Sequence, residues 1–391
     1  MNILIQLSHP AHFHLYKNVA RGLMEDGHHL LFVIKSKDIL ETLLVDAGLP
    51  YVNINQHAHR GSKLGILWDM IVRDWRLVQL CRKHKIDLLT GSTPEVAQVG
   101  WLLRKKVVNT TEDDAAVIGA VVKAMQPFME CLVTPVSCEM GALEPRTVHY
   151  PGYHELAYLH PNHFTADAKV VNGYGIDVNK PYFIMRFASL NAHHDSGIKG
   201  INTEIAERLV KILEPHGQIY ITSERPLEPQ FEQYRIKINP LDMHHVMAFV
   251  SLYIGDSQTM AAEAGVLGVP FVRFNDFVGR IGYLRELEDV YELGYGIHAS
   301  QVNSEKLKAK SGPEALYEKV EELVSMASEV NSEELKVNSW NALKEEFQRR
   351  REKMLSEKID CAKFLTWFIE RYPESVEETR KAEEEFWERF R

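Results

Sequence analysis

The sequence contains few cysteines, and they are not spaced as a metal or redox site. Only four of the 391 residues are cysteine, and no CxxC motif occurs. The four positions are Cys81, Cys131, Cys138 and Cys361. This usage predicts buried, reduced thiols in a cytoplasmic protein rather than disulfides.

Long hydrophobic runs are also missing. No apolar segment reaches the roughly 20 residues that a helix needs to cross a bilayer. The chain enters a strand-like segment at once, without the basic and apolar stretches of a secretory signal. We therefore expect a cytoplasmic protein with no transmembrane segment, and we leave open a peripheral contact with a membrane.

The sequence has no excess of positive charge. Its formal net charge is −9 and its pI is about 6.1. Because nucleic-acid binders usually carry a basic face, this balance argues against a nucleic-acid partner. It is compatible with a small anionic ligand, since a local pocket can be positive on an acidic protein.

Short apolar segments alternate with longer helical ones along most of the chain. In the first half, strands are predicted at NILIQLS, HLLFVIKS, PYVNIN, IDLLTGS and KKVVNTT. In the second half, they are predicted at KPYFIMRF, QIYITSE, RIKIN, SLYIGDS and VPFVRF. This alternation is typical of parallel sheets covered by helices on both faces.

The predicted fold class is therefore α/β, with two doubly wound Rossmann-type domains and a cleft between them. We expect the domains at residues 1–165 and 166–345, followed by a charged helical tail at 346–391. A solvated tail is the first interpretation. A tail that binds a partner, forms a homodimer or folds back across the first domain is an alternative.

The strongest local signal is the strand SLYIGDS, which runs directly into the helix TMAAEAGVLG. Ser257, Gln258 and Thr259 lie at the start of this helix, where free backbone N–H groups and the helix dipole favour a phosphate. Glu263 follows one turn later and could accept both hydroxyls of a ribose. The alternative is an ordinary helix start, with Asp256 or Ser257 as the N-cap.

Other polar residues follow strands of the second domain, where ligands bind in open α/β sheets. Arg186 could clamp a diphosphate or form a structural ion pair. Ser223 and Glu224 could contact the base or the sugar donor, or have only a structural role. The loop RFASLNAHHDSG adds three further candidates for sugar or phosphate contacts, which are Ser189, His193 and His194.

The first domain offers its own candidates. In MNILIQLSHPAHFH, we expect Pro10 to keep the loop extended and His14 to lie at the start of the helix. His9 and His12 are then candidates for a base or for sugar contacts. Asp113 and Asp114 follow the strand KKVVNTT and could act as a general base, or cap a helix. No set of convergent ligands and no DxD motif suggests a metal.

The segment GDSQTMAAEAGVLGVPFVR resembles the donor-binding segment of the non-hydrolysing UDP-N-acetylglucosamine 2-epimerases. The matching residues are Asp256, Ser257, Glu263, Ala264, Leu267, Gly268, Pro270 and Arg273. The resemblance implies that Ser257 helps to hold a nucleotide diphosphate and that Glu263 holds the ribose. Where that family has paired glycines, this chain has Gln258 and Thr259.

Two further segments, PGYHELAYLHPNHF and RFASLNAHHDSGIKGI, resemble the DUF354 proteins, a family with a GT-B-like fold like that of many glycosyltransferases. This resemblance covers most of residues 1–345. It implies a second domain that binds a nucleotide sugar and a first domain that receives the acceptor.

The chain departs from the epimerases at the residues that carry their chemistry. Their His-Arg-Arg-Glu-Asn run is replaced by a segment that begins at Arg186, and their His-x-Glu-Ala-Gly-Leu-Arg run by residues 110–114. We therefore favour a glycosyltransferase that uses a nucleotide-diphosphate sugar, with UDP as the expected nucleotide, and a glycan acceptor. No other cofactor is expected. The alternatives are a 2-epimerase and a non-catalytic protein that binds sugar nucleotides.

Overall fold

The computed structural model describes residues 1–35, 39–54, 63–188, 199–300, 310–326 and 333–391. Contacts between Cα atoms divide the chain into two compact units. The first unit comprises residues 1–163 and 358–391, and the second comprises residues 164–357.

The first unit is built on a parallel sheet of seven strands in the order β3-β2-β1-β4-β5-β6-β7. The strands are β1 (Asn2–Leu7), β2 (His29–Ile34), β3 (Tyr51–Asn53), β4 (Leu88–Gly91), β5 (Lys106–Thr110), β6 (Leu132–Pro135) and β7 (Thr147–Tyr150). The helices between and after them are α1 (Pro10–Glu25), α2 (Ile39–Asp46), α3 (Lys63–Lys83), α4 (Pro94–Leu103), α5 (Gly119–Met125) and α6 (Leu156–Leu159).

The second unit is built on a parallel sheet of five strands in the order β12-β11-β10-β8-β9. The strands are β8 (Tyr182–Phe187), β9 (Gln218–Ser223), β10 (Leu252–Gly255), β11 (Phe271–Asn275) and β12 (Gly294–His298). The helices of this unit are α7 (Ala168–Gly173), α8 (Thr203–Leu213), α9 (Met243–Ala248), α10 (Gln258–Val266), α11 (Gly282–Arg285), α12 (Pro313–Met326) and α13 (Glu333–Glu357). The chain ends with α14 (Cys361–Glu370), α15 (Glu374–Arg380) and α16 (Glu384–Trp387).

The central strands are apolar because helices cover both of their faces. In β1, the side chains of Ile3, Leu4, Ile5 and Leu7 are fully buried. The end of β4 lies so close to β1 that a Cβ atom on Gly91 would come within 2.5 Å of the Gln6 carbonyl oxygen. The predicted α/β class with parallel sheets is confirmed.

The prediction of a strand at RIKIN is wrong. Only Arg235 forms a bridge there, to Ile221 of β9. The backbone N–H of Asn239 donates to the Tyr174 hydroxyl at 3.0 Å, and Pro240 follows without an N–H group. Because these backbone groups do not pair with β9, the ladder ends after one bridge.

The interpretation of residues 346–391 as a solvated tail is also wrong. Residues up to 357 continue α13 of the second unit, and residues 358–391 belong to the first unit. The apolar face of α14 packs against α1 and is fully buried. It consists of Phe364, Leu365, Phe368 and Ile369. Gly22 permits this close approach, since a Cβ atom there would lie 3.0 Å from the Thr366 side chain.

Asp360 fixes the start of this returning segment. Its carboxylate accepts a hydrogen bond from the Lys363 backbone N–H at 3.1 Å and so caps α14. It also binds Asn162 at 3.0 Å and His163 at 2.7 Å. The C-terminal helices are therefore attached to the segment through which the chain leaves the first unit.

The structure confirms the expected state of the cysteines, because all four thiols are free and buried. In the part of the chain that the structure describes, no helix is long and apolar enough to cross a membrane.

We predict that Phe364→Ala lowers the free energy of unfolding of the first unit by about 3–5 kcal/mol, because it leaves a cavity beside the rings of Tyr150, Trp387 and Phe390. Lys363→Ala is the matched control, since Lys363 is exposed on the same helix and its loss should change stability by less than about 0.5 kcal/mol. Urea denaturation of both variants measures the difference. Equal stabilities would contradict the buried position of α14.

Candidate functional site

Each sheet reverses its strand order at one point, and the loops on either side of that point diverge. In the first unit this point lies between β1 and β4, and in the second unit it lies between β8 and β10. Ligands of open α/β sheets bind at the carboxyl ends of the strands beside such a reversal. The residues that follow these strands are therefore the candidates for function.

In the second unit, Ser257 is the N-cap of α10. Its backbone is extended, with φ −79° and ψ 130°, and its hydroxyl accepts from the Met260 N–H at 3.4 Å. Gln258 and Thr259 form the first helical turn and are partly exposed. The start of α10 thus presents backbone N–H groups, with no acidic side chain in its first turn.

Asp256 does not cap α10. Its buried carboxylate instead binds the backbone of two other segments of the second unit. One carboxylate oxygen accepts from the Ala188 N–H at 2.6 Å, and the other accepts from the Ile201 N–H at 3.2 Å. Burial raises the pKa of this carboxyl to about 6. Asp256 therefore fixes the two ends of the loop that follows β8 against the end of β10.

Arg186 lies near the end of β8, beside Gly255 of β10 in the sheet register. Its guanidinium pairs with the Glu224 carboxylate at 2.5 Å, and both side chains keep some exposure. Ser223 is engaged locally, because its hydroxyl donates to the Arg225 carbonyl oxygen at 2.7 Å and accepts from the Arg225 N–H at 3.1 Å. The structure thus brings Arg186 and Glu224 together as an ion pair at this edge.

Glu263 lies in the second turn of α10 and is buried. Its carboxylate is 2.9 Å from Nε2 of His244, a residue of α9 that is buried as well. The contact with His244 gives Glu263 a partner within the unit. Its predicted contact with a ribose stays a prediction.

In the first unit, α1 begins earlier than the sequence predicted. His9 is its N-cap and Pro10 is its first helical residue, so the expectation of an extended loop at Pro10 is wrong. Proline suits this position because its ring fixes a helical φ and its missing N–H is not needed. His14, predicted at the helix start, lies inside the helix, where it is buried against Tyr158.

The hydrogen bonds of His9 and His12 determine which ring nitrogen is left to bind a ligand, and whether it donates or accepts. Nδ1 of His9 accepts from the Ala11 N–H at 3.2 Å, and Nδ1 of His12 accepts from the Ser8 N–H at 3.3 Å. In each neutral ring the proton is therefore assigned to Nε2. This arrangement suits donation of a hydrogen bond to an oxygen atom better than abstraction of a proton.

His12 is also held neutral. Although part of its side chain is accessible, desolvation lowers its pKa to about 3, and His9, His154 and Lys35 contribute to the same shift.

Neither Asp113 nor Asp114 begins a helix, since α5 starts at Gly119. The carboxylate of Asp114 is buried and accepts from the Glu139 N–H at 3.0 Å, which fixes the loop after β5. The backbone N–H of Asp113 donates to the Thr111 hydroxyl at 3.3 Å. A catalytic role for these two acids stays a prediction.

The sequence reasoning missed a pair that the structure brings together. Nδ1 of His154 lies 3.4 Å from a carboxylate oxygen of Glu112. His154 follows β7 and is 7% exposed, and burial lowers its pKa to about 3. The motif PGYHELAYLHP could have indicated this position, but β7 was not recognised as the strand that precedes it.

Three predicted contacts, Ser189, His193 and His194, lie outside the described residues. Among the residues that the structure does describe, no group of three or more His, Cys, Asp or Glu side chains is placed to hold a metal ion.

A family profile described as "Protein of unknown function (DUF354)" matches residues 1–277, well over half of the chain. The protein belongs to the DUF354 family. No curated protein matches the chain.

Solved structures resemble this DUF354 protein over nearly its whole length. The S. aureus MnaA–UDP co-structure is 10% identical in sequence and has a TM-score of 0.61. The match covers 96% of this chain and 98% of the MnaA chain. A Listeria monocytogenes protein described as a UDP-N-acetylglucosamine 2-epimerase is 11% identical, with coverages of 96% and 97% and a TM-score of 0.61. The Streptomyces sp. SF2575 glycosyltransferase SsfS6, complexed with thymidine diphosphate, is 11% identical, with coverages of 95% and 99% and a TM-score of 0.57.

At such low identity these likenesses establish the fold. The predicted GT-B-like architecture, with two parallel sheets and alternating helices, is confirmed for this DUF354 protein.

We predict that Glu263→Ala destabilises the second unit by about 1–3 kcal/mol, because His244 loses its buried hydrogen-bond partner. Glu263→Gln retains an acceptor at the same place and should cost less. Thermal and urea denaturation measure both variants, with Glu207→Ala, an exposed glutamate of α8, as the control. A Glu263→Ala variant as stable as the control would show that the pair with His244 is not structural.

Proposed function

We propose that this DUF354 protein transfers a sugar from a nucleotide-diphosphate sugar, UDP-linked, to a glycan acceptor. The observation that carries the proposal is the start of α10, which lies beside Arg186 where the second sheet reverses its strand order. The fold is shared with MnaA, solved with UDP, and with SsfS6, solved with thymidine diphosphate.

The second unit would bind the diphosphate by charge and by backbone donors. The N–H groups of Gln258 and Thr259 lie in the first turn of α10, at the positive end of its dipole. Arg186 adds a partly exposed guanidinium at the neighbouring strand end. Together they would stabilise the negative charge that develops on the leaving diphosphate, in place of a metal ion.

Glu224 holds the Arg186 guanidinium in one position before a ligand binds. The ion pair holds the guanidinium in place and uses one of its nitrogen atoms, Nη2. Arginine has five N–H donors, so the remaining ones can bind phosphate oxygens while Glu224 keeps its contact. In the proposal, Glu224 orients Arg186 toward the diphosphate.

The first unit would receive the acceptor. His9 and His12 lie at the carboxyl end of β1, and both are assigned Nε2–H donors. Such donors can bind hydroxyl oxygens of a sugar, which agrees with the predicted role of these histidines as sugar contacts.

A 2-epimerase is the second candidate function. It is favoured by the resemblance of residues 255–273 to the donor segment of that family and by the structural likeness to the Listeria monocytogenes protein. That reaction removes a proton from the sugar ring and needs paired acid and base groups. The Asp114 carboxylate is occupied by the Glu139 backbone, and Glu112 faces His154, so these acids are poorly disposed for it.

We predict that Arg186→Gln weakens binding of UDP by about 10–100-fold, because a charge-assisted contact with the diphosphate is lost. The matched control is Arg208→Gln, an exposed arginine of the second unit that pairs with Glu321. Isothermal titration with UDP measures both variants and the wild type.

The control variant should bind UDP like the wild type. The proposed nucleotide site is contradicted if the wild type does not bind UDP, or if Arg186→Gln binds UDP as tightly as Arg208→Gln does.

A further inference from the structure

We propose that an exposed face of α3 docks this protein onto the surface of a membrane that contains anionic phospholipids. The inference goes beyond the proposed function and does not depend on it. The observation that carries it is a stripe of exposed apolar and polar side chains that ends in a cation, on one helix of the first unit. This α3 face consists of Trp68, Ile71, Trp75, Gln79 and Arg82.

The spacing of these residues places them on one side of α3. They follow one another at intervals of three or four residues, which is the distance between neighbouring positions on a helix surface. Since a helix rises about 1.5 Å per residue, the stripe from Trp68 to Arg82 is roughly 20 Å long. The α3 face is therefore a continuous surface and not a scatter of single side chains.

The apolar residues of the α3 face do not contribute to the core. The other side of α3 buries Leu77 and Cys81 in the core of the first unit. By contrast, Trp68 is 57% exposed, Ile71 is 53% exposed and Trp75 is 58% exposed. Single exposed apolar side chains are ordinary, whereas large ones on successive turns of a helix indicate an interaction surface.

The neighbouring helix α4 adds to the same layer. It packs beside α3 and buries Val96 and Val99 in the same core, so both helices cover one face of the first sheet. Their exposed sides are therefore turned the same way. Near its end, α4 exposes Trp101 and Leu102 by 60% and 61%, which places a third exposed tryptophan in this layer.

The ends of these two helices are cationic. Exposed basic residues occupy the last turn of α3, the position two residues beyond it and the end of α4; they are Arg82, Lys83, Lys85 and Arg104. None of the exposed residues of α3 that the structure describes is acidic. Because α3 leads into β4 and α4 leads into β5, which are parallel neighbours, the cations lie at the same edge of the sheet.

An anionic lipid surface is the partner that fits both properties. Tryptophan is favoured at membrane interfaces because its ring is largely apolar and its N–H group is polar. Basic side chains beside an apolar helix face attract anionic headgroups, which strengthens binding of the helix in the plane of the surface. A second copy of the chain fits less well, because a two-fold contact at this face would bring cations against the same cations.

Flotation of the whole protein with lipid vesicles tests the α3 face. The protein should bind vesicles of equal parts phosphatidylglycerol and phosphatidylcholine, less tightly as the salt concentration rises, and bind pure phosphatidylcholine vesicles much more weakly. Brominated phosphatidylcholine in the mixed vesicles should quench tryptophan fluorescence, because Trp68 and Trp75 enter the interface. A wild-type protein that does not bind the mixed vesicles would overturn the proposal.

The apolar part of the α3 face is tested by the double variant Trp68→Ser/Trp75→Ser. It should bind the mixed vesicles at least about tenfold more weakly and lose much of the quenching, because less apolar surface leaves water on binding. Met326→Ser is the matched control, since Met326 is an apolar residue of the second unit that is also more than half exposed. The control should bind like the wild type.

The cationic part is tested by Arg82→Gln/Lys83→Gln, which should weaken binding to the mixed vesicles by about 10–30-fold through the loss of two charges. Lys211→Gln is its control, because Lys211 is an exposed lysine in the last turn of α8 in the second unit. Thermal unfolding of all four variants checks that each keeps its fold. Binding of UDP should be unchanged in each, so failure of this inference leaves the proposed function standing.

Two further results would contradict the proposal. The first is a tryptophan double variant that binds the mixed vesicles as tightly as Met326→Ser does. The second is a wild type that sediments as a dimer without binding vesicles, together with a tryptophan double variant that sediments as a monomer. That second result would assign the α3 face to contact between two copies of the chain.

Discussion

The parallel pairing of the strands described in both sheets is the constraint on which the rest of this structure depends. Because neighbouring strands run in the same direction, their carboxyl ends lie at one edge of each sheet, and so do the residues that follow them. In the first unit this edge carries His12, Glu112 and His154. In the second unit it carries Arg186 and the start of α10. Groups that are distant in sequence become neighbours for this reason alone.

The sequence was sufficient to predict the α/β class and most of the central strands, because their apolar runs and the helices between them are local signals. It did not reveal β6, β7 or β12, which are short and lie among irregular segments. The burial of α14 depends on its contact with α1, more than 300 positions away along the chain. A highly charged segment therefore looked solvated although one of its faces belongs to a core.

In the candidate site, too, the sequence predicts what depends on neighbouring residues and does not predict what depends on tertiary contacts. Ser257 at the start of α10 could be located from the sequence, since a strand that runs into a helix is a local pattern. The tautomer of each histidine could not be predicted from the sequence, because it depends on which backbone or side-chain group faces each ring nitrogen. His12 was a candidate base from its position after β1, yet its Nδ1 is occupied by the Ser8 N–H. The approach of the Glu112 carboxylate to Nδ1 of His154, at 3.4 Å, is likewise a tertiary contact that no local pattern predicts.

The measurement that tests the central claim most directly is the fate of a UDP-sugar panel that includes UDP-N-acetylglucosamine, incubated with the protein in heavy water. NMR and mass spectrometry can follow both release of UDP and exchange at C2 of the sugar. A glycosyltransferase is expected to release UDP and to leave the hydrogen at C2 in place, even when water is the only acceptor. Deuterium at C2 of an intact sugar nucleotide would contradict the account and would identify an epimerase instead.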